Sequence, residues 1–173
     1  MKNSMRLKTT LSAGVALLAI ALTSRGASDK SLIAEPHLNV RGALHGQETD
    51  LLQGSPPEKL LVKGEISGLA THWGTFEMSY KVTVKLPEGS SVGTAQLRLP
   101  NGDTIFTKVA GLGRAFEDVP TLNNIVEVNT IEGGTGQFAG ARGTLVVDRL
   151  VDLSTGLSEG SIHGLVITPA ASH

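Results

Sequence analysis

Three groups of residues in this chain have the types that chemistry uses. The first is a glycine-rich run, "IEGGTGQFAG", Ile131 to Gly140. Runs of this kind cradle phosphate oxygens on backbone N–H groups at the start of a helix. The second group is His72, Phe76, Met78 and Tyr80, spaced by even numbers, so a strand would put them on one face. A histidine inside a cavity could act as acid or base, because its pKa lies near neutrality. The expected role of His72 is nonetheless that of a core or barrel-end histidine hydrogen-bonded to a neighbour. Tyr80 could offer its phenol to a ligand or pack with its hydroxyl at a rim. The third group is Glu127 and Asn129, in phase with Ile125 and Ile131. Facing inward, they would be polar groups in an apolar pocket, which is how ligand sites are specified. Facing outward, they are simply solvated, and this is the expected arrangement, since carboxylates are rarely buried without a partner.

Other chemistries lack their residues. The five histidines, His37, His45, His72, His163 and His173, do not fall at a metal-ligand spacing, so no metal is expected. There is no cysteine, which removes disulfides and thiolate sites. No Gly-x-Ser-x-Gly elbow occurs, and no Ser-His-Asp arrangement suggests itself. No cofactor is expected.

The elements that would hold these groups are strands. "THWGTFEMSYKVTVKL", residues 71–86, alternates for sixteen residues, with His72, Gly74, Phe76, Met78, Tyr80, Val82, Val84 and Leu86 on one face. Period two marks a half-buried strand, and Gly74 is the place for a bend. "LLVKGEISG" precedes it. "VGTAQLRL", "TIFTKVAGL", "NIVEVNTI", "GTLVVDRLV" and "EGSIHGLVI" follow, separated by turns such as "PEGSS", "PNGD" and "DLSTG". This makes seven strands, with no amphipathic helix after residue 58. Short strands in steady succession predict an all-β fold, a closed antiparallel barrel or a sandwich. Residues 27–58 read as a loose leader containing one short strand near Leu38–Ala43, which would be the eighth. Residues 59–168 are the barrel, and 169–173 a tail.

This context decides the glycine run. A phosphate loop needs a helix after it, and here "ARGTLVVDRLV" is another strand. The glycines are then structural. Gly133, Gly134 and Gly136 permit positive φ for a sharp turn, and Gly140 and Gly143 allow the next strand to pack closely. Phe138 folds back to close the barrel end.

Residues 1–26 have a basic front, a 12-residue, mostly apolar run from Leu11 to Leu22 and small residues at Ser24 and Gly26. That order reads as a secretory signal peptide, and the run is too short to span a bilayer. An exported protein, periplasmic or extracellular, is expected, without membrane insertion after cleavage. Removing Lys2, Arg6, Lys8 and Arg25 from fifteen basic residues leaves eleven against sixteen acidic ones, a net charge of −5. Phosphate contact needs clustered Lys and Arg, so a nucleic-acid partner is not expected.

The glycine run also carries a resemblance. "GGTGQFAGARG" resembles the dirigent-protein motif Gly-Gly-Thr-Gly-x-Phe-x-x-Ala-Arg-Gly, matched by Gly133, Gly134, Thr135, Gly136, Phe138, Ala141, Arg142 and Gly143. "SSVGTAQ" is similar to the Val-Gly-x-Ala-Gln segment of that family, and "DLSTGLSEGSIHGLVI" to its last hairpin. "ATHWGTF" is similar to a pattern in secreted bacterial proteins of the allene oxide cyclase-like barrel group. The resemblance spans roughly residues 60–167. It implies a closed barrel of about eight antiparallel strands, calycin-like and of the allene oxide cyclase and dirigent type, assembled as a dimer or trimer. It implies two activities: isomerisation (cyclisation) of a lipid-like epoxide, or dirigent action on a phenolic substrate. Plant dirigent proteins carry disulfides and an acidic segment that this chain lacks. The expected function is therefore binding of a small apolar ligand, or a structural role, ahead of catalysis. The ligand-binding candidates are His72, Phe76, Met78, Tyr80, Glu127, Asn129 and Arg142. For Arg142 there are two expectations: an ion pair with an acidic residue at the rim, or contact with a ligand.

Overall fold

The computed structural model describes residues 35–169. The expected signal peptide, residues 1–26, and most of the expected tail lie outside the described residues. Eight strands follow one another: β1 His37–Gly54, β2 Pro57–Ala70, β3 Gly74–Lys85, β4 Ser90–Arg98, β5 Thr104–Ala115, β6 Leu122–Gly134, β7 Arg142–Asp152 and β8 Leu157–Ile167. Each pairs antiparallel with its neighbours in sequence, and β8 returns to pair with β1, so the sheet closes into a barrel. Closure leaves no open edge to pair with another chain.

Alternation in the sequence becomes alternation of burial. On β3, Phe76, Met78, Tyr80 and Val82 are buried, while Glu77 and Lys81 are exposed. On β7, Leu145, Val147 and Val151 face the interior and are fully buried. Buried Val40, Leu44, Ile66, Leu97, Ile105, Ile131, Ile162 and Val166 from the other strands join one continuous core. Burial of this apolar area is the main force holding the wall together, at about 25 cal/mol per Å² removed from water.

The short strand expected near Leu38–Ala43 is the start of the longest strand, β1, whose 18 residues take up most of the described part of the expected loose leader. Its inward positions are Leu38, Val40, Gly42, Leu44, Gly46 and Glu48. Two glycines and a glutamate among six blur the period-two signal, so only the pairing with β2 and β8 reveals it.

The long alternation also breaks at one point. Residues 71–73 form a turn, and β3 starts at Gly74, whose φ of 71° supplies the expected bend. Thr71 pins this turn to β1, its Oγ1 accepting from the Arg41 N–H at 3.0 Å and donating to the Asn39 carbonyl at 3.1 Å. His72 sits at φ 67°, a left-handed conformation uncommon for a side chain with a Cβ. The turn reverses the phase of the strand. Trp73 goes inside and packs edge-on against Phe76 at 5.9 Å, while His72 is exposed. The inward position expected for His72 is thereby corrected.

The two barrel ends differ. One end carries the turns 71–73, 99–103 and 135–141 and is plugged by Trp73, Leu99, Phe138 and Ala141, all buried. Phe138 lies on a single 3₁₀ turn, Gly136–Phe138, and is fully buried. The glycine run is here, and it does hold an anion: the protein's own Asp103. The Gln137 N–H donates to Asp103 Oδ2 at 3.2 Å, and a Cβ on Gly136 would overlap the Asp103 carboxylate. Gly136 has φ 53°, so it is required both for the turn and for the carboxylate's place. Gly133, Gly140 and Gly143 also have positive φ, at 138°, 71° and 134°. Gly134 does not share the positive φ expected of it; a Cβ there would meet the Thr104 carbonyl oxygen and Phe138, so its role is close approach. The opposite end, carrying the turns after β1, β3, β5 and β7, is open.

Candidate functional site

The open end leads into a cavity of about 340 Å³. Leu60, Val62, Val82, Val84, Leu86, Ile125 and Leu153 supply apolar walls from β2, β3, β6 and the turns around the mouth. This volume lies at the small end of the roughly 300–1,000 Å³ typical of small-ligand sites. A larger hollow of about 790 Å³ runs along exposed residues, among them His45, Ser67, Thr75, Glu77 and Arg98. It contains no buried charged group, so the chemistry lies in the smaller one.

Charged groups form the cavity floor. Arg149 on β7 is in phase with Leu145, Val147 and Val151, and its side chain is 1% exposed. Its Nη1 donates to Glu48 Oε2 at 2.6 Å and to Ser158 Oγ at 3.2 Å. Its Nε makes only a long contact, 3.4 Å, with Glu127 Oε2. The guanidinium also lies over the Tyr80 ring, 4.9 Å from its centre, a cation–π arrangement. Tyr80 donates its hydroxyl to Glu48 Oε2 at 2.5 Å. The tyrosine ring has room because its partner across β2 is Gly64, where a Cβ would collide with the ring. Glu48, Gly64 and Tyr80 thus form one row across β1, β2 and β3.

Burial and charge set the protonation of the floor. Burial disfavours the charged guanidinium of Arg149, but Glu127, Tyr80 and Glu48 more than offset this and hold it firmly protonated. Burial pushes the Tyr80 phenol far above its ordinary value, and the neighbouring carboxylates push the same way against Arg149, so Tyr80 stays neutral. Asp50, on the cavity wall, is raised by burial and then by repulsion from Glu48, with Arg149 opposing. Arginine's fixed charge and planar donors suit it to holding two carboxylates together in a dry interior.

The pairing across the site is uneven. Glu48 is well satisfied, with two close donors, while Glu127 has a single long one. Ser91 and Glu127 flank Gly111, since a Cβ there would meet the Ser91 hydroxyl at 2.9 Å and the Glu127 Cγ at 2.6 Å. The Ser91 hydroxyl has no hydrogen-bond partner although the residue is only 5% exposed, and the Asn123 Oδ1 is likewise buried without one. Both residues line the cavity. Buried polar atoms without partners are rare in folded proteins and mark places where something is accepted.

The residues expected from the sequence are scattered by the fold. Glu127 and Asn129 are 2% and 1% exposed, while Val126 and Val128 face outward at 40% and 43%, which corrects the solvated arrangement. The missing partner was Arg149. Only Glu127 of the pair lines the cavity; Asn129 lies in the core, its Oδ1 accepting from the Thr107 hydroxyl at 3.0 Å. Phe76 and Met78 are core residues and do not line the mouth cavity, whereas Tyr80 lies against its floor. Arg142 sits at the plugged end and pairs with Glu35, its Nη1 donating to Glu35 Oε1 at 3.0 Å. The acidic rim partner is thus present. His72 is outside the barrel.

Glu48, Asp50, Ser91, Asn123 and Arg149 went unnoticed in the sequence. A signal existed for Arg149: it falls on the inward face of "GTLVVDRLV" by simple alternation. Among the described residues, no group of three or more His, Cys, Asp or Glu could hold a metal ion.

No family model and no curated protein matches this sequence. Solved structures similar to it include two dirigent proteins. The pterocarpan synthase dirigent protein GePTS1 is 14% identical, covering 79% of this chain and 92% of its own, with a TM-score of 0.30. The pterocarpan synthase dirigent protein PsPTS1 is 15% identical, covering 79% and 98%, with a TM-score of 0.32. The closed eight-stranded antiparallel barrel rests on this chain's own strand pairing.

Proposed function

We propose that this chain is an exported ligand-binding barrel that takes one small, largely apolar molecule into its mouth cavity. The observation that carries the reading is the apolar-walled cavity with two partnerless buried polar atoms, Ser91 Oγ and Asn123 Oδ1, inside it. A barrel serving only as a scaffold gains by filling such a space, because voids forfeit dispersion contacts and stranded polar atoms cost about 1–3 kcal/mol each. Export rests on the order of basic, apolar and small residues at the start, and N-terminal sequencing of the protein recovered outside the cytoplasm checks it; an intact Met1 counts against it.

The experiment for binding is native mass spectrometry of the purified protein beside Val84→Trp, which places an indole in the cavity. The parent is expected to carry a small-molecule adduct, or to gain thermal stability with small amphiphiles. Val84→Trp should fold and do neither. A parent of bare mass, indifferent to every amphiphile tried, sinks the reading.

A second reading has its own observation. Glu127 is a buried carboxylate with spare acceptor capacity, set beside a neutral phenol and a fixed cation. Those are the components of proton transfer. An isomerase or a dirigent-like protein acting on a lipid-like or phenolic substrate would use Glu127 as base. Turnover abolished by Glu127→Gln with binding retained separates it from simple binding.

A further inference from the structure

The mouth cavity has a sign. One guanidinium, Arg149, faces two buried carboxylates, Glu48 and Glu127, and Asp50 adds a third carboxylate on the wall. All four residues line the same space. Three of the five N–H donors of Arg149 are taken, Nη1 by Glu48 and Ser158 and Nε by Glu127, and its face lies over Tyr80. An anion entering the cavity would meet surplus negative charge, one guanidinium against three carboxylates among the described lining residues. The low dielectric of the walls makes that surplus felt more strongly than at a surface.

The uneven pairing says where a ligand's polar end goes. Glu127 is 2% exposed, and its one donor stands at 3.4 Å. A buried carboxylate so poorly matched is costly unless a further donor or cation arrives. Beside it, across Gly111, stands the partnerless Ser91 Oγ, in a residue 95% withdrawn from solvent, while the partnerless Asn123 Oδ1 lies four residues along β6 toward the mouth. Glu127 and Ser91 can both accept hydrogen bonds from one group placed between them. A primary ammonium offers three donors and one positive charge. A hydroxyl offers one donor and none of the charge.

We infer that the cavity is built for a protonated primary amine on a small apolar body, its ammonium between Glu127 and Ser91. The apolar part then lies against Leu60, Val84, Leu86 and Leu153 toward the mouth. This rests on the ligand-binding reading and narrows it to a charge type and an orientation.

The test is a matched series on the full mature protein: octylamine, 1-octanol and octanoate, with affinity read by calorimetry. Octylamine should bind about tenfold or more tightly than 1-octanol, the difference that a charge-assisted hydrogen bond supplies. Octanoate should bind weakest. Octyltrimethylammonium keeps the charge but has no N–H, and should bind less tightly than octylamine. Glu127→Gln should bring octylamine close to 1-octanol while leaving the alcohol's affinity in place. Equal binding of amine and alcohol overturns the amine inference while leaving the cavity a ligand site. Tightest binding of octanoate overturns it in favour of an anion on Arg149. No binding by any of the series overturns both this inference and the ligand-binding reading. The parent protein alone decides among these outcomes, so they hold even if Glu127→Gln fails to fold.

Discussion

Replacing Arg149 by Met tests whether the buried charges form a unit. The side chain is 1% exposed, and its neighbours Glu48 and Glu127 are 4% and 2% exposed. Methionine keeps most of the length and apolar contact of the arginine stem. What it removes is the cation, with its 2.6 Å bond to Glu48, its 3.2 Å bond to Ser158 and its contact with Glu127. Two carboxylates are then left in a dry interior with only the Tyr80 hydroxyl to help one of them. Breaking a buried pair by removing one partner costs about 3–5 kcal/mol. In a domain of this size each kcal/mol lowers the Tm by roughly 3–5 °C, so a fall of about 10–20 °C is expected. Thermal unfolding by circular dichroism reads it. A triple variant, Glu48→Gln with Glu127→Gln and Arg149→Met, removes every formal charge of the cluster and should recover most of the loss, since replacing a whole buried ionic group is often close to neutral. Two results refute the reasoning. Arg149→Met within about 3 °C of the parent would mean the guanidinium does not hold the carboxylates. A triple variant as unstable as the single one would place the loss in packing and not in stranded charge.

Phe76→Ala should lower stability by roughly 3–5 kcal/mol, because Phe76 is 3% exposed, packs on Trp73 and leaves a cavity when truncated. Small amphiphiles should still bind, since Phe76 does not line the mouth cavity; chemical denaturation with and without octylamine shows both, and a lost binding response with stability intact would contradict the assignment. Asp50→Asn should raise the Tm at pH 7. Burial and Glu48 lift the folded-state pKa of Asp50 above 3.8, so the folded form binds the proton more tightly and ionised Asp50 costs stability above that window. The parent therefore gains from this group as pH falls through the raised value toward 3.8, and the advantage of Asp50→Asn should shrink between pH 7 and pH 4; an advantage that grows in acid would contradict the sign.

The strands from β2 onward were legible because each carries period two in residues that tolerate only one environment per face. Phe76, Met78 and Tyr80 pointed inward as the spacing requires, and the lack of a helix after Gly140 was enough to set aside a phosphate loop. Only the first part of β1 was legible, as the short strand near Leu38–Ala43; its continuation to Gly54 was not, since Gly42, Gly46 and Glu48 stand where apolar residues would have marked the inner face. His72 and Trp73 exchanged sides because a three-residue turn shifts the phase, and phase is invisible where alternation appears unbroken.

The candidate site shows the limit most clearly. Sequence determined that Glu127 and Asn129 share a face, and it determined the all-β class, because alternation and turn residues are local properties; between a barrel and a sandwich the pattern alone did not choose, and the strand pairing does. It could not determine which face was inside, because burial of a carboxylate is decided by a partner. That partner, Arg149, is 22 residues from Glu127 and 101 from Glu48 along the chain. Only closure of β8 onto β1 brings the three to one end of one barrel, and only there do a charge, a counter-charge and an apolar wall become a cavity.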